Sequence, residues 1–218
     1  MGPTAADVEL VIFDCDGVLV DSEVVSVRVM GRVLAELGWQ LTAEEIVERF
    51  VGGSKQHFDA QVFEYLGRSL PDGWADPYSA WYEEAFKREL RAVSGVEQAI
   101  DSLQVATCVA SNSSHSRVRA SLEIAGLIDR FDGRIFSAQD VAHPKPAPDV
   151  YLHAAREMGV PVERCVVVED SRYGAQAARA AGMRVLGYAG GLTPAAWLEG
   201  ERTTVFMSMD QLPGLVRG

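Results

Sequence analysis

Five short runs of apolar and β-branched residues recur along the chain, at residues 9–13, 105–110, 133–137, 164–169 and 184–188. Segments with helical apolar spacing separate them, and such alternation predicts a parallel sheet with helices on both faces. Near-continuous apolar stretches such as Cys165-Val166-Val167-Val168 fit strands covered from both sides, because a strand with one wet face would alternate instead. The helix ends agree. Ser113 and Ser114 precede a pattern through Val118, Leu122 and Ile124 that stops at Gly126, and Pro148 opens another that closes at Gly159. The predicted fold class is α/β, with a doubly wound parallel sheet.

One interval breaks this rhythm. The stretch from Phe13 to Val105 is far too long for a single crossover, since strand-to-helix connections usually take about 2 to 6 residues. An inserted subdomain is therefore expected over 21–92, with the sheet domain assembled from 1–20 and 93–218. The insert reads as a helical bundle. Residues 24–37 set Met30, Val33, Leu34 and Leu37 at helical spacing and stop at Gly38, and Thr42 with Glu45 has the spacing of a capping box. Residues 54–66 place Phe58, Val62 and Tyr65 on one face, and Asp76 with Pro77 starts a helix over 78–90. Trp39, Trp74, Trp81 and Phe86 are expected to form the core of the insert, and Glu44, Glu48, Glu83 and Glu84 its solvated faces.

Composition narrows the partners. Of 218 residues, 48% are hydrophobic and 23% charged, which is ordinary for a globular protein. Lys and Arg number 20 against 31 Asp and Glu, and a net charge of −11 argues against nucleic acid and anionic membrane surfaces. No apolar run approaches the roughly 18 residues of a membrane span, and residues 1–7 lack the basic start of a secretory leader. Cys15, Cys108 and Cys165 have neither disulfide nor zinc spacing. A reduced, cytoplasmic protein is expected, as a monomer or weak homo-oligomer. His57, His115 and His143 have no neighbour at metal-ligand spacing and are expected at the surface or as caps.

Chemistry concentrates at the ends of the strand-like runs. The first ends in Asp14-Cys15-Asp16-Gly17, the second in Ser111-Asn112-Ser113 and the fourth in Glu169-Asp170-Ser171 with Gly174 following, while Lys145-Pro146 lies ahead of a helical segment. Open α/β sheets bind ligands outside the C-terminal ends of their strands. Clustered carboxylates there are hard ligands for a divalent cation. A hydroxyl, a helix start and a lysine are donors for an oxyanion. An isolated Asp after a strand reads first as a turn cap; four such motifs in order read as a site.

The order of these motifs resembles the haloacid dehalogenase (HAD) superfamily of phosphohydrolases, in the group with a small helical cap that includes β-phosphoglucomutase and sugar-phosphate phosphatases. The resemblance implies a Rossmann-like core with an inserted helical-bundle cap. It implies Asp14 as the nucleophile that forms an aspartyl phosphate, Asp16 as the acid and base, and Lys145 as a fixed positive charge. It places Mg2+ on Asp14, the Asp16 backbone carbonyl and Asp170, with Glu169 close by or acting through water. Ser111, Asn112 and Ser113 would hold the phosphate, and Gly53, Ser54 and Lys55 of a cap loop would meet the rest of the substrate. The implied activity is Mg2+-dependent hydrolysis of a small phosphomonoester, a sugar or sugar-acid phosphate of the 6-phosphogluconate kind. β-Phosphoglucomutase-type transfer is the alternative, although Ser26 stands where the mutase carries a histidine. A receiver-like phospho-acceptor without turnover is a third reading, against which stand the helical insert and the second aspartate, Asp16; that same residue argues against true dehalogenase activity.

Overall fold

A computed structural model of the chain describes residues 8–51, 55–68 and 71–218. After β1 (Leu10–Phe13) the chain leaves the sheet for four helices, α1 (Ser22–Glu36), α2 (Ala43–Phe50), α3 (Lys55–Leu66) and α4 (Asp76–Glu89). It returns through α5 (Val96–Asp101) and then alternates: β2 (Ala106–Ser111), α6 (His115–Ile124), β3 (Ile135–Ser137), α7 (Asp149–Glu157), β4 (Cys165–Glu169), α8 (Arg172–Ala180) and β5 (Arg184–Tyr188). β6 (Thr203–Phe206) and α9 (Leu212–Arg217) close the chain. The strands form one sheet in the order β3-β2-β1-β4-β5-β6, and every pairing is parallel.

β1 lies between β2 and β4, so the direction of winding reverses at it and a crevice opens beyond its C-terminal end. Phe13 is level with Val109 on one side and Val168 on the other. That register brings Asp14, Ser111 and Glu169 to the same edge of the sheet. Both central strands are buried along their whole length. Leu10 and Ile12 share one core with Cys108, Val167 and the Val150, Tyr151, Ala175 and Ala178 side chains of α7 and α8. The alternate residues point to the other face, where Phe13 meets Phe131 edge-on with ring centres 6.0 Å apart.

The sheet differs from the sequence pattern at its margins. β6 was not among the five expected runs, because at the edge of the sheet only Phe206 of its four residues is buried and Thr203, Thr204 and Val205 make no apolar stretch. The expected run at 133–137 contracts to Ile135–Ser137, since Gly133 takes a φ of +73° just ahead of it.

Ser22–Leu90 forms a compact unit of its own, distinct from the unit that contains the sheet. Where the chain leaves and re-enters the sheet unit, the two crossings are laced together. Asp21 N–H donates to the Arg91 carbonyl at 2.9 Å, Val93 N–H donates to the Leu19 carbonyl at 3.0 Å, and Val20 faces Ala92 in an antiparallel bridge.

Inside the inserted unit the capping box of α2 is formed in both directions, Glu45 N–H to Thr42 Oγ1 and Thr42 N–H to the Glu45 carboxylate. The core face of α1 is a valine stripe, Val25, Val29 and Val33, packed on Trp74, Tyr78, Trp81 and Phe86; Met30 and Leu37, expected on that face, are only partly buried. Trp39 stacks on Tyr65 at 4.4 Å. Val62 of α3 is fully buried, whereas Tyr65 is 45% exposed and donates its hydroxyl to the Gly38 carbonyl. At α4 the N-cap is Ala75, without a side-chain cap, and Asp76 sits in the first turn, where its charge suits the helix dipole.

The expected peripheral roles hold for the histidines. His57 pairs with the Arg49 carbonyl, His115 with Asp140 and His143 with Asp149. The three cysteines are buried free thiols, and among the described residues no helix is long and apolar enough to cross a membrane. Phe131→Ala empties the space against Phe13, and the expected result is a loss of about 3–5 kcal/mol of unfolding free energy, read from urea unfolding; a loss under about 1 kcal/mol would contradict the packing described.

Candidate active site

Asp14 extends the ladder of β1 by one residue, its N–H donating to the Val168 carbonyl at 2.9 Å. The chain then turns sharply: Gly17 has a φ of +79° and donates its N–H to the Val20 carbonyl. A Cβ at Gly17 would land inside the Asp170 carboxylate, so glycine is what allows Asp170 of the β4 end to lie against the turn after β1. Gly174 plays the same part on α8, where a Cβ would overlap the Glu169 carboxylate.

Lys145 reaches this edge from the loop before α7. Its Nζ donates to Asp14 Oδ1 at 2.6 Å and to Glu169 Oε1 at 2.9 Å, with the ammonium 4.6 Å from the centre of the Tyr151 ring. Asn112, at the end of β2, holds the lysine's own backbone, accepting from Lys145 N–H at 2.9 Å and donating Nδ2–H to its carbonyl at 3.2 Å. Glu169 is held from the other side. Ser171 donates to its Oε2 from both backbone N–H and hydroxyl, at 2.7 and 2.9 Å, and the same hydroxyl accepts from Gly174 N–H to cap α8.

Asp14, Lys145, Glu169 and Asp170 are all buried, so the charges act on one another without much screening. Burial pushes the Asp14 carboxyl up to about 7, with Glu169 and Asp16 adding in the same direction and Lys145 opposing. Burial acts against the charge of Lys145, but Asp14 and Glu169 outweigh it and hold the ammonium well above the usual lysine range. Removing one member of such a set leaves a buried charge unbalanced, typically at about 3–5 kcal/mol.

Carboxylate oxygens of Asp14, Glu169 and Asp170 lie within 4.8 Å of one another. Three acids beside a single lysine make a cluster with negative charge in excess, and hard oxygens in such a cluster suit a divalent cation. The residues therefore fit a metal ion. Glu169 already accepts hydrogen bonds from Lys145, Tyr151 and Ser171, with which direct ligation would compete.

Ser113 is bonded within the site. Its N–H, expected to meet a phosphate, donates to Ser111 Oγ at 3.0 Å, and its hydroxyl donates to Asp16 Oδ2 at 2.9 Å. The carbonyl of Ser113 accepts in turn from the buried Ser137 hydroxyl at 2.7 Å. Ser114 is the residue that caps α6. The structure thus brings together Asp14, Asp16, Ser111, Asn112, Ser113, Lys145, Glu169 and Asp170. Lys55 begins α3 in the inserted unit, and Gly53 and Ser54 lie outside the described residues. Sequence reasoning missed Tyr151. A tyrosine on the apolar face of α7, beside Val150 and Ala154, needs a partner for its hydroxyl, and that is the signal it left.

The family model for haloacid dehalogenase-like hydrolases matches residues 8–182. The chain belongs to this family. Among HAD-like relatives, the 6-phosphogluconate phosphatase of Escherichia coli (strain K12) is 34% identical over 209 residues, covering 95% of this chain and 94% of that one. A solved HAD-like protein of unknown function from Agrobacterium tumefaciens superposes with a TM-score of 0.88 at 39% identity, over 96% of this chain and 97% of the other. A HAD family hydrolase from Deinococcus radiodurans R1, solved with bound phosphate and sodium, gives 0.83 at 32% identity, over 97% and 96%.

Gly17→Ala tests the close approach at this HAD-like site. The added methyl must displace the Asp170 carboxylate, and the expected outcome is a loss of at least about tenfold in Mn2+ affinity by calorimetry. Unchanged affinity would separate Asp170 from any metal ligation.

Proposed function

We propose that this chain hydrolyses a small phosphomonoester, a sugar or sugar-acid phosphate, through an aspartyl phosphate on Asp14 and with Mg2+ as cofactor. It is a phosphatase of the HAD-like family. The observation that carries the mechanism is the buried lysine bonded to Asp14, with Asp16 two residues on and fixed by Ser113. The substrate class is supported by the name of the Escherichia coli relative and by the phosphate in the Deinococcus radiodurans hydrolase. In this reading residues 1–20 and 93–218 carry the chemistry and 21–92 act as a cap that selects substrate.

Asp14, Asp170 and the Asp16 carbonyl would hold Mg2+, with Glu169 close by or through water, and the ion when bound neutralises charge and polarises a phosphoryl oxygen. An Asp14 carboxylate oxygen forms a bond to phosphorus as the ester P–O bond breaks, and Asp16 gives its proton to the departing alkoxide. A water then attacks the phosphorus; Asp16 takes its proton, the bond to Asp14 breaks, and inorganic phosphate leaves. Lys145 keeps a positive charge beside the nucleophile throughout, where phosphoryl oxygens gather negative charge. The Ser111 hydroxyl at the end of β2 and the Asn112 amide in the loop before α6 donate to those oxygens. Ser113 keeps Asp16 aimed through both proton transfers. Gly53, Ser54 and Lys55 are the proposed contacts to the rest of the substrate. Hydrolysis is preferred to mutase chemistry because Ser26 replaces the mutase histidine.

With p-nitrophenyl phosphate and Mg2+ the wild type is expected to release phosphate, and EDTA to stop it until Mg2+ is restored. Asp14→Asn is expected to lose essentially all turnover, and Asp16→Asn about 10²–10⁴-fold. Full turnover by Asp14→Asn would end the proposal. Supplied with β-glucose 1-phosphate and a trace of the 1,6-bisphosphate, the enzyme is expected to yield phosphate; faster accumulation of glucose 6-phosphate would favour the mutase instead.

A further inference from the structure

Glu169 accepts two hydrogen bonds at each carboxylate oxygen. Those at Oε2 are local, from the Ser171 amide and hydroxyl. Those at Oε1 come from Lys145 Nζ at 2.9 Å and from the Tyr151 hydroxyl at 3.0 Å. Tyr151 is fully buried, and its ring lies 4.6 Å from the same ammonium. One side chain of α7 therefore touches both Lys145 and its carboxylate partner. Neither the motifs nor the reaction steps use it. Packing alone does not require its oxygen, because a phenylalanine would fill the same space beside Val150 and Ala154.

We propose that Tyr151 is a positioning residue for catalysis: its hydroxyl holds Glu169 on Lys145, and its ring seats the ammonium against Asp14. This inference rests on the phosphatase reading. Glu169 belongs to the acidic cluster with Asp14 and Asp170, so its carboxylate has an alternative direction to lean, toward those acids and whatever cation they hold. The phenol at Oε1 works against that rotation. Burial and the neighbouring Glu169 both hold the phenol well above the usual tyrosine range. The face of the ring carries negative charge toward a cation, so it steadies the ammonium without competing for its protons. Lys145 is then held by four residues: Asn112 at its backbone, Asp14 and Glu169 at its charge, and Tyr151 beneath it.

Tyr151→Phe keeps the ring and removes the oxygen. With p-nitrophenyl phosphate, kcat is expected to fall about tenfold, as for loss of a hydrogen bond to a charged acceptor, with KM within about twofold of wild type. The same substitution made in Glu169→Ala, which leaves the phenol no acceptor at that position, followed by single turnover at high enzyme concentration, is expected to cost less than about twofold further, because the route through Glu169 is already gone. Cooperative thermal melts verify that each variant is folded. A kcat within twofold of wild type overturns the inference, as does a loss of equal size in both backgrounds, a rise in KM with kcat kept, or failure of Tyr151→Phe to fold, which would make the hydroxyl a requirement of folding. Absence of turnover in the wild type would instead refute the phosphatase reading itself, so the two failures are distinct.

Discussion

A lysine ammonium buried between two carboxylates organises the sheet unit. Lys145 lies far in sequence from Asp14 and meets it only because three separate elements converge: the end of β1, the loop before α7 and the end of β4. Taking one cation and several carboxylates out of water is unfavourable unless each finds partners. The surrounding details read as answers to that demand. Asn112 clamps the lysine backbone, Ser171 and Tyr151 fill the valences of Glu169, and two glycines, Gly17 and Gly174, leave room for carboxylates that any side chain would displace. Electrostatic catalysis depends on charges and donors that are held in place in this way.

The chain carries −11 overall, yet the activity proposed for it concerns an anion. The two are compatible because exposed charges are screened beyond about 8 Å. Acids such as Glu44, Glu48, Glu83 and Glu84 lie on wet helix faces. On the proposed function, what a phosphate would meet is local: Lys145 in its charged form, the Ser111 hydroxyl and Asn112 amide ahead of α6, and the cation that the acids at the strand ends would hold. The acids at the strand ends are in excess over Lys145 by themselves, and on the proposed function a bound cation would offset them.

Much of this was legible in the sequence, and the reasons are physical. Strands buried on both faces must be apolar throughout, so β1, β2, β4 and β5 announced themselves; β6, at the edge with threonines and one buried phenylalanine, did not. The positions of Asp14, Lys145 and Asp170 after strands and before a helix marked them as candidates, the roles expected of them came with the resemblance to the HAD superfamily, and the structure brings their side chains to one edge of the sheet. Roles that depend on partners were not legible in this way. The Ser113 hydroxyl on Asp16 and its amide on Ser111 are contacts that spacing along the chain does not record. Tyr151 looks like one more core aromatic until its hydroxyl is seen on Glu169. Gly53, Ser54 and Lys55 belong to a segment whose partners spacing cannot name.

The lacing at the neck of the insertion has a consequence of another kind. Asp21 with Arg91, Leu19 with Val93 and Val20 with Ala92 make a short antiparallel stem, so to the sheet unit the whole of Ser22–Leu90 is the tip of a hairpin. The entropy of closing such a loop grows only logarithmically with its length. A lineage can therefore lengthen, trim or exchange what hangs from the stem while the register of β1, and with it Asp14, stays where it is. On the proposed function, chemistry and choice of substrate would then be inherited on separate pieces of one uninterrupted chain.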